Sequence, residues 1–229
     1  RFTKIQKGKT QEKELKMLGY KQQIINSIPS NNCCSHAFLS VVIDFCGLVD
    51  VTNSRIIISS TDFICEKVVK IVNNFYPNII VNSLKDFLAL SGDIRSILVD
   101  CNIDEKPNYA LFVADCDRLT LLKTAFLLAG NFNCELDNNQ NSKGYHLEFF
   151  VRPESQNFIK SLLVEFNLDF KSKPRQNGVV FYTKHSDIIC DFLVLLGAKY
   201  TALDVQNSLA VREIRNTANR QNNCFESNL

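Results

Sequence analysis

The feature that most constrains this 229-residue chain is an order of elements that occurs twice. An apolar helical run over about 33–48, including HAFLSVVIDFCG, stops at Gly47. A second run over about 118–130, RLTLLKTAFLLAG, stops at Gly130. After the first, 55–59 reads as a strand. Residues 62–75 read as a helix capped by Ser60 or Thr61, with Phe63, Ile64, Val68, Ile71, Val72 and Phe75 at helical spacing. A strand near 79–82 follows Pro77, then a short helix near 84–90, an apolar stretch at 94–99 and an optional strand at 109–113. After the second run comes an Asn-rich hairpin at 137–144, a strand at 145–151, and a helix from a Ser155 cap to about Phe166, with Pro153 just outside it. Strands at 168–173 and 178–183 flank the turn Gln176-Asn177-Gly178, and a helix over 185–197 ends at Gly197. Helix–strand–helix–strand thus repeats at a spacing of roughly 85 residues, which predicts an α+β fold of two similar halves about a pseudo-twofold axis.

The ends differ from this body. Residues 1–16 are basic and polar without an apolar signal core, and 17–28 suit a short helix ending before Pro29. Over 200–222, Ala202, Val205, Leu209, Val211 and Ile214 suit an amphipathic helix carrying Arg212, Arg215 and Arg220. From Asn216 the chain turns Asn-rich and reads as a linker. The expected organisation is a flexible basic arm (1–19), a first repeat (20–115), a second repeat (116–200), and a helix with linker (201–229). The only methionine is Met17, so Arg1 is not a start-codon product and the chain reads as a fragment. Apolar residues at 45% and charged residues at 22% exclude a disordered chain. No run approaches the roughly 20 apolar residues of a membrane helix.

The net charge of +2 conceals a pattern. Residues 1–23 carry seven Lys or Arg against two Asp or Glu, residues 24–170 eleven against seventeen, and residues 171–229 eight against five. An acidic middle between basic ends suits nucleic acid at one face or end, or else merely solvated arms. Nine cysteines, odd in number and without a CxxC pair, point to free thiols in a reducing cytoplasm. Cys46, Cys65, Cys101, Cys116 and Cys190 sit in apolar periodic segments, where cysteine packs as a small hydrophobe. Cys33 and Cys34 with His36 form the one metal-like cluster. A structural zinc site needs four ligands and no second cluster is evident, so packing at a helix start is expected there and no metal or cofactor.

The two glycine-terminated helices resemble those of the LAGLIDADG homing endonucleases, whose paired helices pack at a pseudo-twofold axis. In that family carboxylates at the helix ends hold divalent cations for phosphodiester cleavage, since hard cations need oxygen ligands. Registering the motif gives 39–47, LSVVIDFCG, and 122–130, LKTAFLLAG. The position before glycine, where the metal-binding carboxylate would sit, is Cys46 in one half and Ala129 in the other. Neither is a magnesium ligand, and Asp44 lies two residues away on another helical face. This form resembles the WhiA family of bacterial sporulation and cell-division regulators. The residues that carry the resemblance are Cys33 and Cys34, AFL at 37–39 with Gly47, AFL at 125–127 with Gly130, YHLE at 145–148, IICDFLVLLGA at 188–198 and RNTANRQNNCFESNL at 215–229. The resemblance implies a LAGLIDADG-like domain without nuclease activity, followed by a helix-turn-helix domain that binds promoter DNA and would begin near Leu229. It implies a cytoplasmic, nucleoid-associated protein whose partners are DNA and other regulators, not a membrane.

No residue is expected to be catalytic. Candidate DNA contacts are Lys143, His146, Lys171, Lys173, Arg175, Arg212, Arg215 and Arg220. His146 and Glu148 share one strand face, as a base and its partner or as a structural or DNA-facing pair. Lys171, Lys173 and Arg175 alternate on one strand, to meet phosphates or to guard an edge. The three arginines of 212–220 suit phosphate contacts or salt bridges between domains. Three readings follow: an inactive module of a WhiA-like regulator, an active nuclease disfavoured by the absent carboxylates, and a module binding protein or a small ligand without touching DNA.

Overall fold

Helices that are apolar on most sides need a partner helix, and strands with one apolar face need a layer to cover it. The structure, a computed structural model, satisfies both demands twice over. It describes residues 19–84, 87–133 and 144–227; the basic arm and most of the Asn-rich hairpin lie outside these. After α1 (Tyr20–Asn26), the first half runs α2 (Asn32–Cys46), β1 (Gly47–Asp50), β2 (Arg55–Ile58), α3 (Asp62–Phe75), β3 (Ile80–Leu84), β4 (Phe87–Ser91) and α4 (Ile94–Asp100). The second half runs α5 (Asp115–Ala129), β5 (Gly130–Asn133), β6 (His146–Val151), α6 (Pro153–Glu165), β7 (Lys171–Arg175), β8 (Gly178–Thr183) and α7 (Ser186–Leu196), and α8 (Lys199–Ser227) follows. The sheets are antiparallel with matching orders, β1-β2-β4-β3 and β5-β6-β8-β7. The expected pseudo-twofold α+β architecture is present, with α2 and α5 packed on one another at its centre. Among the described residues no helix is long and apolar enough to cross a membrane.

The two glycines work by close approach. Gly47 and Gly130 have extended backbones (φ −93° and −94°), give their N–H to Ile43 O and Phe126 O, and are also the first residues of β1 and β5. A Cβ on Gly47 would stand 2.5 Å from Ile43 O, and one on Gly130 2.3 Å from Phe126 Cδ2. Helix therefore becomes strand with no loop between.

The halves differ in core chemistry. Under α2 and α3 the first sheet buries Ile56, Ile58, Leu88 and Leu90. The second core is aromatic: Phe126 meets Phe192 edge-on at 5.1 Å and Phe149 at 6.0 Å, and Phe149 packs on Phe181 at 5.8 Å. Each such pair adds about 0.5–1.5 kcal/mol beyond its buried area. Helix α1 lies against α3 of the first half and α5 of the second; Tyr20 packs on Phe126 and Phe132, while Gln23 donates to Thr201 Oγ1 at 3.0 Å and accepts from Tyr200 N at 3.1 Å.

Several local expectations are corrected. The short helix near 84–90 is strand β4, because Leu88 and Leu90 alternate into the core opposite Ile58 and Ile56. The optional strand at 109–113 contains a 3-10 turn, Tyr109–Leu111. Strands β1 and β5, directly after the glycines, were not expected, so each half is α-β-β-α-β-β-α rather than helix–strand–helix–strand. Pro153 opens α6 rather than lying outside it, since its fixed φ suits a first helical position, and Arg152, not Ser155, occupies the cap. The strand expected at 168–173 is β7, shifted to 171–175. In the β7–β8 hairpin Arg175 pairs with Gly178, so the turn is Gln176-Asn177. The linker expected from Asn216 is instead helical to Ser227.

Candidate functional site

Strand register decides which side chains share a sheet face, because directly paired residues point the same way and successive ones alternate. In the second sheet Phe149, Phe181, Leu147 and Val151 turn inward. The outer face is set by the rows Asn131–Glu148–Tyr182–Lys171 and Phe150–Val180–Lys173, with Arg175 opposite Gly178 at the hairpin end. Lys171, Lys173 and Arg175 are all exposed on the edge strand β7, about 7 Å from one to the next along the strand. His146 joins this face through Glu148, Nε2 to Oε2 at 3.0 Å, with Tyr182 6.1 Å from the imidazole.

The first sheet's outer face is different in kind. Its rows carry Leu48–Ile57–Ala89–Asn82 and Asp50–Arg55–Ser91–Ile80. Among the described residues of these rows the one cation is Arg55, tied to Asp50 at 3.3 Å, while Leu48, Ile80 and Phe87 are 66%, 62% and 40% exposed. The two halves thus present unlike surfaces: one basic at its edge, one apolar.

The remaining candidates scatter. Arg212, Arg215 and Arg220 lie on the exposed part of α8. Arg212 stacks its guanidinium 5.9 Å from the Tyr145 ring, and Tyr145 Oη is hydrogen-bonded to Ser208 Oγ. Lys143 lies outside the described residues.

At the glycine ends of α2 and α5 the residues do not fit a divalent cation. Ala129 offers no ligand atom, and burial pushes the Cys46 thiol up, which keeps it protonated at neutral pH. Asp44 is spoken for: its Oδ2 accepts from Tyr109 Oη at 2.6 Å, and its Oδ1 lies 3.7 Å from Arg152 Nη1. Arg152 also donates to Asp44 O at 2.8 Å and Phe45 O at 3.3 Å and lies over the Phe45 ring. A fixed cation from the second half therefore satisfies the carbonyl end of the first half's central helix, where the helix dipole favours positive charge. Sequence reasoning missed Arg152, which lies over a hundred residues from its partners.

It also missed what the opposite end of this helix pair brings together. Cys33 and Cys34 at the start of α2 meet Cys116 and Asp117 at the start of α5, their ligand atoms all within 4.8 Å of one another. Cys33 Sγ stands 3.7 Å from Cys116 Sγ, and the Cys116 thiol is 3.4 Å from Asp117 Oδ1. His36 is not among them; it faces Asp100 at 3.8 Å and packs on Phe75 and Tyr76. The expectation that no second cluster joins Cys33 and Cys34 is thereby corrected. Cys116 is exposed rather than packed as a buried hydrophobe. The hydrogen bond to the Asp117 carboxylate, with burial and the Cys116 sulfur, pushes the Cys33 thiol up to about 11. A signal existed in the sequence: Cys33 and Cys116 are separated by 83 positions, as are Gly47 and Gly130.

Comparison with known proteins accords with this geometry. Residues 119–215 match the family model of the WhiA LAGLIDADG-like domain. The chain is 31% identical over 158 residues to the probable cell division protein WhiA of Pediococcus pentosaceus, covering 69% of this chain and 48% of that protein. It is 26% identical to the probable cell division protein WhiA of Bacillus subtilis, covering 90% and 70%. The chain spans about half to two thirds of the length of the first curated relatives it matches. Full-length WhiA of Thermotoga maritima superposes with a TM-score of 0.63 at 20% identity, covering 91% of this chain and 71% of that one. A variant of the homing endonuclease I-DmoI gives 0.50 at 12% identity, covering 73% and 98%. The fold is that of the LAGLIDADG homing endonucleases.

Proposed function

We propose that this chain, which carries a WhiA LAGLIDADG-like domain, is the non-enzymatic module of a cytoplasmic, nucleoid-associated transcription regulator in cell-division or sporulation control. It touches DNA phosphates through one half only, and base reading falls to a helix-turn-helix domain beyond residue 229. In this reading residues 1–19 are the arm, 20–115 and 116–200 the two repeats, and 201–229 the connection. The observation that carries the proposal is the register of β7, which lines Lys171, Lys173 and Arg175 along an exposed edge away from the core. Phosphate contacts position a protein on DNA without reading sequence, the task such an edge can perform. The absence of an oxygen ligand at Cys46 and Ala129, with Arg152 at the α2 terminus, supports a module that does not cleave.

The test is a titration of duplex DNA with the 229-residue chain across salt concentrations. Each phosphate contact contributes about 0.9 to the slope of log K against log salt, so Lys171→Gln with Lys173→Gln and Arg175→Gln should flatten it by about 2.7. An unchanged slope removes this edge from the interface, and magnesium-dependent cleavage of plasmid by the wild type overturns the non-enzymatic reading. A second reading, a module docking another regulator, is favoured by the exposed Leu48, Ile80 and Phe87 of the first sheet.

A further inference from the structure

We propose that Cys33, Cys34, Cys116 and Asp117 form a structural zinc site that clamps the N-terminal ends of the two central helices. It lies some 20 Å along α2 from the Cys46 end, at a rise of 1.5 Å per residue, and so is separate from the positions where a homing endonuclease would hold its cations. Four observations converge on it. The donors number four, the count a structural zinc site takes. They come in two pairs of adjacent residues with the same 83-residue offset that relates the halves, so the pseudo-twofold axis itself brings them together. Their spacing fits one ion: bonds of about 2.3 Å in a tetrahedron place sulfurs about 3.8 Å apart, and Cys33 and Cys116 stand at 3.7 Å. Their chemistry selects the metal, since three thiolates with one carboxylate suit zinc and exclude magnesium and calcium.

The surroundings are those of a closed site with one way in. Cys34 and Asp117 are buried, Cys33 is half-buried, and Cys116 faces solvent as the point of entry. Asn31 caps α2 by accepting from the Cys34 N–H at 3.3 Å, and the Thr120 hydroxyl donates to Cys116 O at 2.8 Å, which fixes both ligand-bearing turns. On binding, Zn²⁺ takes three sulfurs and one carboxylate oxygen and releases the three thiol protons to solvent; no electron moves. The ion joins the halves at the end of the helix pair opposite the Arg152 contact.

The experiment titrates the full 229-residue chain, reduced and metal-free, with zinc chloride and separately with cobalt chloride. One metal per chain is expected, with a thiolate-to-cobalt charge-transfer band and tetrahedral cobalt absorption. Adding zinc should raise the melting temperature of the wild type. Cys33→Ser with Cys116→Ser should weaken binding by more than the roughly 10–100-fold that loss of an outer-shell partner costs. Cys46→Ser with Cys224→Ser should bind as the wild type does, and circular dichroism reports whether each metal-free variant is folded. The proposal falls if reduced wild type takes up no metal, or if the paired Cys33 and Cys116 variant, still folded, binds undiminished. Iron with acid-labile sulfide in the isolated protein, or a Cys33–Cys116 disulfide that persists under reductant, also overturns it.

Discussion

Lys123 carries a positive charge into a place with little water. Its side chain is 6% exposed on α5, and the ammonium donates to Ser27 Oγ at 2.9 Å and to Ser27 O at 3.3 Å. Burial lowers its pKa below the ordinary 10.5, and the nearby Cys34 opposes that only in part. A base whose folded pKa lies below its unfolded one sheds its proton first in the folded chain, so unfolding takes a proton up. The stability this group contributes is complete above pH 10.5 and is lost as pH falls through the folded value. Lys123→Met removes the titration. Stability of wild type minus that of Lys123→Met, from urea melts, should therefore rise with pH in the window just below 10.5; a pH-independent difference would sink the account. At this scale the sequence is least informative. Lys123 sits in an apolar-looking run like any snorkelling lysine, and nothing local says that Ser27, 96 positions away, receives it.

At the scale of elements, the glycine-to-strand junction is the part of the fold most plainly written in the sequence. Both glycines stop an apolar run, and both prove to be points where backbone meets backbone. Gly130→Ala forces a Cβ to within 2.4 Å of Phe126 O and 2.3 Å of its ring, and that ring is fully buried. Overpacking of this kind costs roughly 1–3 kcal/mol. Urea denaturation of Gly130→Ala should show a lower midpoint at unchanged slope, and a midpoint equal to the wild type would mean that the junction relaxes freely. Elements without such punctuation were harder to read. FLALS of β4 has apolar residues at nearly every position, so period 2 and period 3.6 are both satisfied until Ile56 and Ile58 appear opposite Leu90 and Leu88. Strands β1 and β5 have four residues each, too few to set a period beside the long runs that precede them. The basic strand β7 was legible because lysine alternation needs no partner, but the apolar face of the first sheet emerges only from the pairing of strands distant in sequence.

The whole molecule is organised by its pseudo-twofold axis, and α8, like α1, stands outside the two matching halves. Its first turns are part of the core: Tyr200, Ala202 and Val205 are buried, Gln23 holds its start, and Ser208 meets Tyr145. From residue 210 to 227 every position is exposed, a length of about 27 Å at 1.5 Å per residue. Val211, Ile214, Ala218 and Phe225 follow one face of that length by helical spacing, yet Ile214 and Phe225 are 69% and 74% exposed. A helix with so little tertiary packing adds almost nothing to the body it leaves, since most helical stability in proteins comes from a buried face. Beyond Leu209, Arg212 lies over the Tyr145 ring, a contact worth about 0.5–1 kcal/mol at an exposed site. Truncation after Leu209 should therefore lower the melting temperature by no more than the roughly 2–4 °C that 1 kcal/mol shifts a domain of this size. The same truncation deletes Arg212, Arg215 and Arg220 while leaving β7 intact, so it also separates the two sets of candidate DNA contacts. If β7 supplies the phosphate contacts, the truncated chain keeps the salt-dependent binding that the β7 variant loses. A loss of cooperative melting would show instead that the exposed helix is integral to the body, and loss of binding with melting intact would move the interface from β7 to α8.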